Sequence, residues 1–213
     1  MPYRIFVPRG YDSAKKYPLI LWLHGGGGRG TDNLKQISGG NTAGARLWIK
    51  PENQEKYPSI VVAPQCPENE MWTSVDVAKP THQLELALEL IASLQNVYSI
   101  DSRRLYIAGQ SMGGLGTWGI ISEHPKMFAA AIPVCGGGNE QLAPKLVDVP
   151  IWAFHGEKDE AISVERSRRM IEAIRKAGGT PRYSEYKDVG HNSWERAFSE
   201  PDLLKWMFAQ KTH

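Results

Sequence analysis

Apolar residues recur along this chain in two rhythms that alternate from one end to the other. Nearly unbroken apolar runs occur at 19–25 (LILWLHG), 59–65 (SIVVAPQ), 104–110 (RLYIAGQ), 129–135 (AAAIPVC) and 150–156 (PIWAFHG). Runs of this kind mark parallel strands covered on both faces. The segments 3–7 (YRIFV) and 181–187 (PRYSEYK) alternate polar with apolar residues, which suits the edges of a sheet. Between the strands the apolar period lengthens to that of a helix. Residues 81–97 carry Leu84, Leu88, Ile91 and Leu94, and 163–177 carry Val164, Met170, Ile171 and Ile174 ahead of a Gly178-Gly179 stop signal. A last helix over roughly 200–210 presents Leu203, Leu204, Met207 and Phe208. Strands separated by helices predict right-handed crossovers and a three-layer α/β/α sandwich around a mostly parallel sheet of about seven strands.

No repeat, low-complexity tract or internal linker interrupts the pattern, so residues 1–213 read as a single domain. Two irregular stretches stand out, 26–58 with a short helix near 42–49, and 66–79. Loops that long in a compact domain tend to be functional.

Composition narrows the partners. The chain is 41% hydrophobic and 23% charged, with a formal net charge of +2. Its densest basic groups, Arg103-Arg104 and Arg166 to Arg169, read as solvated faces, and no basic groove for nucleic acid emerges. The longest apolar run, 84–94, is broken by Glu85, Glu89 and Ser93, far short of the roughly 20 residues that span a bilayer. No signal peptide is legible, because MPYRIFVPRGYD enters a strand at once, and Met1 is read as a start placed on a segment cut from a longer protein. Cys66 and Cys135 read as two small semi-buried thiols.

The chemistry centres on LYIAGQSMGGLGTW, residues 105–118. Gly109-Gln110-Ser111-Met112-Gly113 has the form of a nucleophile elbow, a sharp strand-to-helix turn that exposes a serine hydroxyl at the helix N-terminus. The flanking glycines leave room where side chains would collide. Such a serine needs a base, and the base needs an orienting acid. Downstream histidines are His124, His155, His191 and His213. His124 ends the helix behind the elbow, His155 lies within a strand as a structural residue, and His213 is the frayed terminus. His191, on the loop after strand 181–187, is the candidate base. The acid is Asp159, just past strand 150–156, with Glu160 and Asp188 as rivals. The Met112 amide is one oxyanion donor. The second comes from the glycine loop HGGGGRGTDN, at Gly26, with its neighbour Gly27 as the rival. That loop lacks the G-K-[ST] of a phosphate cradle. Nothing in this machinery calls for a metal or an organic cofactor.

With these residues assembled, the chain resembles the α/β-hydrolase superfamily over essentially its whole length. It looks most like lid-free carboxylesterases related to phospholipase/carboxylesterase, dienelactone hydrolase and polyhydroxybutyrate depolymerase-type enzymes. The likeness is carried by YPLILWLHGGGGRGTDN, VVAPQCPENEMW, SRRLYIAGQSMGGLGTW, IWAFHGEKDEAI and VGHNSWERAF. It implies Ser111 as nucleophile, Asp159 as acid, His191 as base, and hydrolysis of carboxylic esters, with peptidase or thioesterase chemistry on the same triad as the alternative. The strands that usually precede the segment matching YRIFVP are missing, which implies excision from a larger, secreted multidomain protein. The family's strand order also separates Cys66 from Cys135 by roughly 14 Å, three strand spacings, beyond the about 7 Å a disulfide tolerates.

Only about 14 residues join strand 129–135 to strand 150–156, too few for a lid domain. An open site predicts a small-molecule or polymer-borne ester substrate with a short or aryl acyl group, including acetyl or feruloyl esters of plant polysaccharides. Trp72 and Trp194 are candidate walls of an acyl or aryl pocket, with filling of space beneath loops as the other reading of each.

Overall fold

The computed structural model describes residues 1–74 and 81–212. His213 and part of the irregular stretch 66–79 lie outside the described residues. Seven strands form one sheet, β1 (Tyr3–Phe6), β2 (Tyr17–Leu23), β3 (Ile60–Pro64), β4 (Ile100–Gln110), β5 (Ala130–Val134), β6 (Trp152–Gly156) and β7 (Arg182–Tyr186), in the order β1-β3-β2-β4-β5-β6-β7. β1 runs antiparallel to β3, and all other pairings are parallel. The two alternating segments are the two edges, as their patterns predicted. β4 begins four residues earlier than the apolar run, because the polar Asp101–Arg103 separate the buried Ile100 from the apolar stretch that signals a strand.

Alternation along the strands feeds two cores. Leu19, Leu21, Leu23, Val62 and Ile107 face one side, and Ile20, Trp22, Val61, Tyr106 and Ala108 face the other. Helices α1 (Thr42–Leu47), α2 (Pro51–Lys56), α3 (His82–Val97), α4 (Met112–Glu123), α5 (Glu165–Lys176), α6 (Trp194–Ala197) and α7 (Leu203–Phe208) complete the layers. α3, α4 and α5 cover the first face through Leu84, Ile91, Trp118, Ile121, Met170 and Ile174. α1, α6 and α7 cover the second through Ala45, Ala197, Leu203 and Met207, with Trp48 and Phe198 alongside. α2 was not predicted; it buries no side chain and so leaves no apolar period in the sequence.

β3 and β5 flank the β2–β4 pair from opposite sides, and Cys66 and Cys135 are free and buried. Between β5 and β6 the chain makes only a short 3₁₀ turn, Glu140–Leu146, and no lid. No helix among the described residues is long and apolar enough to cross a membrane.

Candidate active site

Ser111 joins β4 to α4 with φ 54° and ψ −119°, a region that costs an L-residue about 1–3 kcal/mol unless its surroundings enforce it. The enforcement is visible on both sides. A Cβ at Gly109 would strike the Gly113 backbone, and one at Gly113 would strike the Leu23 carbonyl, so only glycine admits the turn. The Ser111 amide donates to the Val134 carbonyl at 2.9 Å and to the Cys135 sulfur at 3.3 Å, tying the elbow to β5.

Ser111 Oγ lies 2.8 Å from His191 Nε2, and His191 Nδ1 lies 2.7 Å from Asp159 Oδ2. A carboxylate only accepts, so Nδ1 carries the proton and Nε2 presents a lone pair to the hydroxyl. Asp159 follows β6 and is buried; its other oxygen accepts the Ala161 and Ile162 amides, both at 2.9 Å. The rivals are occupied elsewhere. Asp188 pairs with Lys158 in the open, its amide donates to Glu157, and Glu160 is exposed.

The glycine loop is held from three sides. Gly25 donates its amide to Asn41 Oδ1 at 2.8 Å, and its carbonyl accepts from the Gly28 amide at 2.9 Å and from His24 Nδ1 at 2.7 Å. His24 Nε2 accepts the Cys66 amide at 3.0 Å, which fixes the tautomer with the proton on Nδ1. Burial pushes this histidine down to about 4, so it stays neutral. The carbonyl of the Gly25–Gly26 peptide is engaged by His24 and Gly28, so the Gly26 N–H, trans to it, points away from those two residues. Among the described residues neither the Gly26 nor the Met112 amide donates to a group outside its own helix. Sequence reasoning missed His24 and Asn41. The histidine at the head of HGGGG was the available signal, whereas nothing local singles out Asn41.

These groups border a cleft of about 500 Å³ lined by Gly26, Gly27, Gly40, Ser111, His191 and Trp194. Trp194 stands edge-on to His191, with ring centres 5.3 Å apart. Trp72 requires a correction. It is fully buried, donates Nε1–H to the His24 carbonyl at 3.1 Å, and packs where Gly116 of α4 leaves no side chain, so it supports the glycine loop from beneath and does not line the cleft.

One group of metal-type donors gathers among the described residues, Cys135, Asp159 and His191, within 4.8 Å of one another. Asp159 and His191 are committed to each other, and burial pushes the Cys135 thiol up, which keeps it protonated. The set therefore does not suit a resident metal.

The fold has counterparts in known proteins. A crystal structure described as a thermostable esterase superposes with a TM-score of 0.93 at 40% identity, covering 98% of this chain and 59% of that one, and it carries the same α/β-hydrolase fold. The bifunctional acetylxylan esterase/xylanase XynS20E of Neocallimastix patriciarum is 28% identical over 163 residues, 76% of this chain and 22% of the relative. An uncharacterized secreted protein of Arthroderma benhamiae is 25% identical over 224 residues, 91% of this chain and 23% of the relative. The chain thus spans under a quarter of either curated relative. Residues 63–200 match the Dienelactone hydrolase family, and the chain belongs to it.

Proposed function

We propose that this chain is a serine carboxylesterase that cleaves short or aryl carboxylic esters, including acetyl or feruloyl esters carried on plant polysaccharides. The observation that carries the reading is the continuous line Ser111 Oγ–His191 Nε2 at 2.8 Å and His191 Nδ1–Asp159 Oδ2 at 2.7 Å. His191 takes the Ser111 proton as the oxygen attacks the ester carbonyl, and Asp159 stabilises the imidazolium without accepting its proton. The Gly26 and Met112 amides receive the developing oxyanion, each worth about 3 kcal/mol in the transition state. His191 then protonates the leaving alcohol, and water, activated by the same imidazole, releases the acid from Ser111.

The open cleft, with no lid among the described residues, favours acyl chains of about four carbons or fewer, or a flat aryl group against Trp194. Relatives named as an esterase and as an acetylxylan esterase support the substrate class. A relative named as secreted supports action outside the cell as one part of a larger protein.

Hydrolysis of p-nitrophenyl acetate tests the reading. The Ser111→Ala variant is expected to lose turnover while remaining folded; turnover that survives the substitution overturns it. Faster cleavage of peptide amides than of esters would move the assignment to a peptidase.

A further inference from the structure

His155 sits on β6 with no exposed surface, and the triad as described gives it no task. Its ring is nonetheless within bonding distance of the acid. Nε2 lies 3.1 Å from Asp159 Oδ2, the same oxygen that receives His191, and 2.9 Å from the Ile162 carbonyl. Both neighbours are acceptors only, so a lone pair on Nε2 would face two oxygens, and the proton must reside there. On the far side, Nδ1 lies 2.7 Å from the hydroxyl of Ser167 on α5, which also reaches the Gly136 carbonyl at 3.0 Å. Burial pushes the ring's basicity down. The neutral form with the proton on Nε2 satisfies both oxygens at that nitrogen, and the single Ser167 hydroxyl proton is then shared between Nδ1 and the Gly136 carbonyl.

We infer that His155 is a second imidazole on the triad carboxylate, a positioning residue that holds Asp159 through a hydrogen bond to the oxygen it shares with His191. The inference rests on the triad reading above. Two donors on Oδ2 and two amides on Oδ1 leave the carboxylate no freedom to rotate about its bond to Cβ. The extra donor also spreads the negative charge, which moderates how tightly Asp159 holds the His191 imidazolium. The charged or titratable groups around His155 are Asp159, His191 across the carboxylate, and Glu185, its register partner on β7, whose carboxylate is taken up by Arg168.

Two measurements test this. In ¹⁵N-labelled wild-type protein, the His155 ring is expected to carry its proton on Nε2 with Nδ1 bare; the opposite tautomer overturns the proposal without any variant. In kinetics, His155→Phe keeps a flat aromatic ring but removes the donor, and kcat for p-nitrophenyl acetate is expected to fall about tenfold or more at nearly unchanged KM. The acidic limb of its kcat/KM profile should move to higher pH, because a less dispersed carboxylate stabilises the His191 cation more. His155→Gln, whose amide nitrogen reaches the position of Nε2, should recover most of the rate. A folded His155→Phe enzyme with wild-type kcat and an unmoved limb overturns the inference. Loss of turnover in Ser111→Ala alongside an unaffected His155→Phe would remove this inference and leave the esterase reading standing.

Discussion

Asn41 Oδ1 accepts the Gly25 amide at 2.8 Å, a bond that joins the first glycine of the loop to a residue sixteen positions later. It anchors the loop in which the next amide, Gly26, is the proposed second oxyanion donor. Asn41→Ala should therefore lower kcat about tenfold or more with little change in KM, since the loss falls on transition-state stabilisation. Asn41→Asp keeps an accepting oxygen and should retain more activity than the alanine variant. Steady-state kinetics on one short ester decides between these outcomes.

Asp159→Asn keeps acceptance of the Ala161 and Ile162 amides but turns an N–H toward His191. The imidazole then favours the tautomer with its lone pair on Nδ1, and it cannot take the serine proton. A fall in kcat of about 10⁴ is expected with the fold retained. A loss of less than tenfold would show that another group orients His191.

Stability should weaken in acid because of His24. Its value is about 4 when folded against 6.5 for the free side chain, so the unfolded chain binds the proton more readily. The contribution is intact above the free value and is lost as pH falls toward the folded one, amounting to about 3 kcal/mol at most. Urea unfolding at neutral pH and near pH 4 measures it. His24→Asn keeps a donor for the Gly25 carbonyl and does not titrate, so its stability should change less between the two conditions.

Gly113→Ala drives a methyl into the carbonyls of Leu23 and His24 and should cost about 4 kcal/mol. Gly27→Ala meets nothing within 4 Å and serves as the control, with a change of less than about 0.5 kcal/mol. Thermal melts of the two variants make the comparison.

Trp194→Ala should raise KM for aryl esters about three- to tenfold and leave acetyl esters nearly unchanged, the scale of one aromatic contact. Equal effects on both substrates would assign the ring to support of His191 alone.

The sheet was legible because its central strands are buried on both faces and carry unbroken apolar runs, while β1 and β7 alternate. Ser111, His191 and Asp159 were legible because strand ends at one rim of such a sheet converge, and the structure brings them into contact. What stayed hidden depends on partners remote in sequence. Trp72 looks the same in a chain whether it walls a cleft or fills the space above Gly116. Asn41 acquires its task only when the loop 34–41 folds back on Gly25. His155 reads as a core histidine on an apolar strand, and it is one; its contact with Asp159 comes from a turn four residues later.

The groups that meet at the cleft are drawn from Gly25 to Trp194, with the elbow near the middle of that span. No contiguous fragment shorter than this can assemble them, and the β6–β7 hairpin-free edge must dock before the base meets its nucleophile. Turnover is therefore a late readout of folding: during renaturation, ester cleavage should return only with the last strand, after most of the helical signal has already recovered.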